Sequence, residues 1–453
     1  MKRVALIVMV LGMAALAVAA TAAAQDDSRI GELVRRVREL EERLRALESG
    51  TQPGAGELRR QIDVLTREIE QLKIERERPA VADAPERGLG AAASKVYRSG
   101  VGMSLGGYGE VVYDRFDDEN DAGSDAGAKD QLDFLRAILY AGYKFSDKVV
   151  FNSELEVEHA TTDDGIGEVA MEFGYLDFLL RPQLGVRAGL LLMPVGLVNE
   201  LHEPTAFLGS MRPEVERVIL PSTWSEAGLG LVGELGPFAY RTYVVTGLNS
   251  EEFTSAGIRS GRQGGARALA EDLAWVGRLD WRPTAGALVG GSLYTGGSAQ
   301  GRTTPAGEAF RGRVTLGELH ADLRYRGLLV RGLWAAGRVG DARAINLANA
   351  LTGAEAVGRE FGGWYAEAGY DLASVLRLGG SSLVPFARYE DFSTQRDVLA
   401  GFAADPAREA DILTLGAVWK PITQVVFKAD YQNRDNRAGT AVDQFNVALG
   451  YVF

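Results

Sequence analysis

From Gly100 to the terminal Phe453, apolar and polar residues alternate with a period of two, interrupted by Gly, Pro, Asn and Asp. That period places successive side chains on opposite faces of a strand. In the last segment Phe445, Val447, Leu449, Tyr451 and Phe453 share one face, and Gln444, Asn446, Ala448 and Gly450 share the other. Upstream, Val425, Phe427, Ala429 and Tyr431 oppose Gln424, Lys428, Asp430 and Gln432, while Val149, Phe151, Leu155 and Val157 oppose Asn152, Glu154, Glu156 and Glu158. The pattern predicts sixteen strands: 100–115, 131–146, 148–160, 168–180, 184–193, 226–235, 238–248, 272–282, 287–297, 314–326, 328–339, 358–371, 383–392, 410–420, 423–433 and 441–453. One of them is irregular. In 314–326, Val314 and Leu316 share parity with Glu318, His320 and Asp322, so a bulge or a late start is expected.

The connections alternate between short turns and long loops, the longest being 194–225. Strands with one apolar and one charged face, joined alternately short and long, predict an all-β transmembrane barrel of about sixteen antiparallel strands. A soluble barrel has the opposite polarity, with an apolar interior. Sixteen strands imply an aqueous lumen, and aromatics near strand ends (Tyr143, Phe145, Trp419, Tyr431, Tyr451, Phe453) suit an interfacial girdle.

The N-terminus follows other periods. Lys2 and Arg3, the apolar run Val4–Ala20 and the small residues Ala22-Ala23-Ala24 predict a signal peptide over 1–24. Ile30, Leu33, Val37, Leu40, Leu44 and Leu47, then Leu58, Ile62, Leu65, Ile69 and Leu72, fall at heptad spacing and predict a short α-helical coiled-coil segment within 25–78. Residues 79–94, rich in Ala, Pro and Gly, read as a linker to the barrel, 95–453.

Charge narrows the chemistry. A net charge of -12 offers no basic face for nucleic acid. Cysteine is absent, so there is no disulfide framework. Gly228–Gly233 fits G-x-G-x-x-G, but inside a strand, with no helix to receive a pyrophosphate. The three histidines, His159, His202 and His320, lack metal-ligand spacing, and no cofactor or metal is expected. The acidic stretch Asp114–Asp125 departs from the EF-hand pattern and reads as a solvated loop.

The alternating C-terminal strand ending in Phe453 resembles the recognition strand of Gram-negative outer-membrane barrels, which implies the barrel-assembly machinery, membrane lipid and lipopolysaccharide as partners. RAGLLLMPVGLVNE over 187–200, with Glu203-Pro204-Thr205-Ala206-Phe207, Met211-Arg212-Pro213-Glu214 and Trp224-Ser225-Glu226-Ala227-Gly228, resembles the phosphate-selective porin O/P family. That resemblance implies a sixteen-stranded homotrimer with an N-terminal coiled coil and a third loop that narrows the pore. The matching loop, 194–225, is then either an inward-folded constriction or an external loop or trimer latch. It carries Asn199, Glu200, His202, Glu203, Arg212, Glu214, Glu216, Arg217 and Trp224.

Parity directs Arg136, Glu154, Glu156, Glu158, Glu168, Glu172, Arg187, Arg278, Arg324, Arg388 and Lys428 toward the lumen. Carboxylates opposite cations would set up a transverse field that orients polar solutes. The family binds phosphate through an arginine ladder and lysines. Here only eight lysines exist, none between Lys148 and Lys420, so no phosphate ligand is assigned. The expected function is passive diffusion of small hydrophilic solutes and ions, including anions such as phosphate. Alternatives are a cation-preferring pore, a membrane anchor for a cell-wall tether, or a barrel enzyme.

Overall fold

The computed structural model describes residues 32–42, 60–66, 87–376, 378 and 380–453. The predicted signal peptide and most of the coiled-coil segment lie outside these residues. The chain divides into two units, 1–84 with 282–288, and 85–281 with 289–453. In the first, 32–42 and 60–66 are helical. Among the described residues no helix is long and apolar enough to cross a membrane.

The second unit carries one closed antiparallel sheet. In chain order its strands are β1 Gly102–Phe116, β2 Gln131–Ser146, β3 Val149–Glu158, β4 Val169–Arg181, β5 Leu184–Leu192, β6 Ser225–Leu235, β7 Phe238–Thr246 and β8 Leu273–Trp281. There follow β9 Ala287–Gly296, β10 Val314–Tyr325, β11 Leu328–Val339, β12 Glu360–Tyr370, β13 Ser382–Asp397, β14 Glu409–Ile422, β15 Val425–Asn436 and β16 Gln444–Val452. All sixteen predicted strands are present. Each pairs with its sequence neighbours, and β1 closes on β16 from Tyr108↔Val452 to Phe116↔Gln444. Past the last strand, Gly107 and Phe453 exchange two backbone hydrogen bonds of 3.0 and 2.9 Å. Closure leaves no edge, which lipid would not tolerate.

Seven connections lie at one rim and eight at the other; six of the seven are turns of two to five residues, and the seventh, 371–381, is longer. Outside, Leu139, Leu229, Leu279, Leu319, Leu413 and Leu415 are exposed. At the turn rim the exposed pairs Tyr143–Phe145, Phe238–Trp281 and Trp419–Phe427 have ring centroids 4.9, 6.4 and 5.3 Å apart. This apolar band with aromatic edges faces the surroundings because nothing else in the described chain covers it.

Two expectations are corrected. Strand β10 shows no bulge against β11: their register runs unbroken from Val314↔Val339 to Tyr325↔Leu328. Val314 and Leu316 point inward with Glu318 and His320 and are buried in a core that also contains Tyr294, Val339 and Ile345. The lumen is therefore not lined by polar groups throughout. An apolar core stands inside the barrel, because the connections folded into it bring Val195, Val215, Ile219, Phe253 and Ile258, which need an apolar wall.

Leu415, 52% exposed, lies mid-strand on the outer face, while Thr414 beside it is buried. Leu415→Arg should lower barrel stability in lipid vesicles by roughly 2–4 kcal/mol. Reversible denaturant unfolding measures this, and Thr414→Ala should fall well short of it.

Candidate functional site

The connection between β5 and β6, residues 193–224, turns into the barrel instead of out of it. Asn199 fixes its two ends together. Its amide donates to Met193 O (2.7 Å) and Trp224 O (3.0 Å), and its Oδ1 accepts from Trp224 N (2.7 Å). Gly196 makes the turn at φ 68°, where a Cβ would meet the Glu216 carboxylate. That carboxylate accepts from Leu197 N (2.8 Å), Val198 N (2.6 Å) and Tyr365 OH (2.6 Å). Two passes of the loop are thereby joined to each other and to β12.

The far wall grips the loop by its backbone. Arg331 donates to Ala206 O (3.1 Å), Lys420 to Thr205 O (2.9 Å), Lys428 to Gly209 O (2.9 Å) and Arg388 to Met211 O (3.4 Å). Ser210 N donates to Asp430 (2.5 Å) and Val215 N to Glu390 (3.0 Å). Lys428 also sits 3.6 Å over the Phe207 ring. Arg278, from β8, donates to Gly196 O. On the near wall His202 Nε2 lies 2.9 Å from Glu154.

Many inward charges are thus spent on structure. Arg187 pairs with Asp177 at 2.7 Å, Arg278 with Asp280 at 2.9 Å, and Arg388 with Glu390 at 2.9 Å and Glu367 at 3.3 Å, all buried. Glu200 pairs with Arg241 at 3.3 Å, and Arg324 with Asp322 at 3.3 Å. Arg136 approaches Glu110 (3.5 Å) and Glu156 (3.6 Å). A different group of charges is less enclosed. Glu158, Glu168 and Glu172 are half-buried or exposed on the β3–β4 side, as are Arg212 and Arg217 on the loop.

Two more arginines stand with them. Arg259 and Arg262, from the connection between β7 and β8, donate to the carbonyls of Ser222 and Thr223. Burial holds Arg262 below its ordinary range, against the charges of Glu172, Glu226, Glu168 and Glu158. Nothing in the local sequence marks these two, because the loop that carries them meets the constriction loop only in three dimensions. Burial, and then Arg262, Arg217 and Arg212, push Arg259 down to about 9. The loop carboxyls divide by partner. Burial raises Glu200, Glu203 and Glu216. Burial opposes ionisation of Glu214 too, but Arg217 and Arg434 outweigh it and hold that carboxyl below its ordinary range.

Among the described residues no group of three His, Cys, Asp or Glu could hold a metal ion. The G-x-G-x-x-G stretch lies inside β6.

The closed sixteen-stranded antiparallel barrel resembles in fold the barrels of outer-membrane porins. Salmonella typhi OmpF, solved in complex with daunomycin, matches with a TM-score of 0.51 at 12% identity, over 78% of this chain and 97% of that one. The outer membrane channel DcaP of Acinetobacter baumannii gives a TM-score of 0.49 at 12% identity over the same shares. No family model matches the chain. An uncharacterized protein of Aquifex aeolicus (strain VF5) is 36% identical over 381 residues, 82% of this chain and 84% of that protein. The chain belongs to the same family as the Aquifex protein.

Asn199→Ala removes three buried hydrogen bonds, worth about 1 kcal/mol each. The barrel should still fold and keep its heat-dependent gel shift, while limited proteolysis should newly cut within 193–224.

Proposed function

We propose that the chain is an outer-membrane porin, through which small hydrophilic solutes and ions diffuse passively. The observation that carries this reading is the loop 193–224, held across the lumen by both walls. It brings Arg212 and Arg217 beside Arg259 and Arg262, on the side of the lumen where Arg262 meets Glu172, Glu168 and Glu158. Such a border orients dipolar solutes without a strong net preference for either sign.

Selectivity for phosphate meets a physical obstacle. Lys420 and Lys428 donate to loop carbonyls, and Arg187, Arg278 and Arg388 are ion-paired. Few inward cations are left to strip water from an anion. The proposal is therefore a general pore with weak ionic preference. We further propose an N-terminal signal peptide, insertion guided by the C-terminal strand, contact with lipopolysaccharide, and a homotrimer with 25–78 as its coiled coil; these rest on the sequence and its resemblance to phosphate-selective porins. The apolar core inside the barrel favours a second reading, a closed barrel that anchors the N-terminal segment.

Planar-bilayer recording separates the two. The full chain should open in discrete steps with a small reversal potential in a KCl gradient. Glu172→Gln should shift that potential toward anions and Arg212→Gln toward cations. Silence of the full chain and of every folded variant would favour the anchor.

A further inference from the structure

Residues 87–94, which read as a linker by composition, are built into the barrel. Leu89 is 1% exposed, and with Ala92 and Ala93 it belongs to the core that contains Tyr108, Tyr140, Phe173 and Tyr175 of the β1–β4 wall. Those four rings form a continuous row, with centroids 6.1, 6.1 and 5.4 Å apart. The constriction loop holds the segment from the other side. Glu203 Oε1 accepts from Ala92 N (3.0 Å) and Ala93 N (3.1 Å). Gly90 lies so close that a Cβ there would collide with the same carboxylate. At Gly88, φ is 87°, and a Cβ would meet Arg241 and Glu200 at 2.5 and 2.6 Å.

Other contacts fix the segment to the wall. Asn152 Nδ2 donates to Ala93 O (2.9 Å), while within the segment Ser94 Oγ donates to Gly90 O (2.7 Å). A single turn of helix, α1 Lys95–Arg98, ends the run. From it Tyr97 OH donates to Asp177 (2.6 Å), and Lys144 donates to Ser99 O just beyond (3.2 Å).

We infer that residues 87–94 are a strap forming the second half of the constriction, and that Glu203 is the positioning residue that joins strap to loop and thereby sets the size limit for solutes. The inference rests on the porin reading. A backbone ribbon occupies about 5 Å, the spacing of neighbouring strands. A passage narrowed by the loop alone would be wider by that amount on the β1–β4 side. The composition now has a purpose: Gly88, Gly90, Ala92 and Ala93 are small because the strap passes between a carboxylate and a wall of rings.

The test uses the full chain in planar bilayers and in solute-loaded vesicles. Glu203→Ala removes the acceptor, and Gly90→Val fills the space it occupies. Both should raise single-channel conductance roughly twofold and admit sugars that the wild type excludes, as expected when pore width governs conduction. Glu203→Gln retains an acceptor oxygen and should stay near wild type. The heat-dependent gel shift identifies variants with an intact barrel. If Gly90→Val does not fold, Ala91→Cys, at a half-buried position of the strap, serves instead in this cysteine-free chain: a bulky thiol reagent added from the turn side should change its conductance. Wild-type current with unchanged conductance and sugar cut-off in every folded variant overturns the strap alone. A silent wild type with conducting variants supports it, whereas silence of all of them removes the porin reading and the strap with it.

Discussion

Backbone polar groups set in lipid have no water to bind, and each left unpaired costs several kcal/mol. A sheet meets that requirement only when its first and last strands find each other. Here β1 and β16 do so, and the terminal Phe453 extends the ladder by pairing with Gly107. Everything else is conditional on this ring. It turns alternate side chains outward into an apolar band and commits the others to an interior too wide for them to fill alone. The interior is filled instead by chain: a loop of the sheet and, ahead of β1, a strap.

Charge does inside what apolar contact does elsewhere. Arg331, Lys420, Lys428 and Arg388 reach from four strands to carbonyls of the loop, and Asp430 and Glu390 reach its N–H groups. Charge-assisted bonds of this kind are short and directional, so a loop without regular structure acquires a defined path. The cations that parity placed in the lumen are therefore mostly anchors. The less enclosed residues are fewer, and they lie where β3 and β4 face the arginines of two different loops.

The strands were legible because a period of two survives through most of their length, with local register shifts, and because the outer face must be apolar whatever the inner face does. The interior was legible only in part. Lys428 and Arg388 could be assigned inward from parity, but the loop carbonyls they hold, of Gly209 and Met211, are more than a hundred residues away and leave no local trace. Arg259 and Arg262 sit in a loop whose sequence resembles any solvated one. Val314 and Leu316 appeared to demand a bulge because an inward position was expected to be polar, and the loop packed against them removes that rule. Residues 87–94 show the same ambiguity: Gly and Ala serve a free connector and a tightly packed ribbon equally well.

The position of the strap bears on the order in which the molecule can be assembled. Fifteen of the sixteen pairings join strands adjacent in sequence and can form as the chain arrives, whereas β1 with β16 brings together opposite ends of the domain. Residues 87–94 immediately precede β1 and lie on the inner side of the ring that this last pairing seals. Once the seam is shut, lateral entry is barred by a continuous ladder of hydrogen bonds, so the segment must be laid in place beforehand or threaded in from the rim. Closing the barrel thus also packs its contents, and a strap left outside at that moment would give a properly hydrogen-bonded wall around the wrong opening.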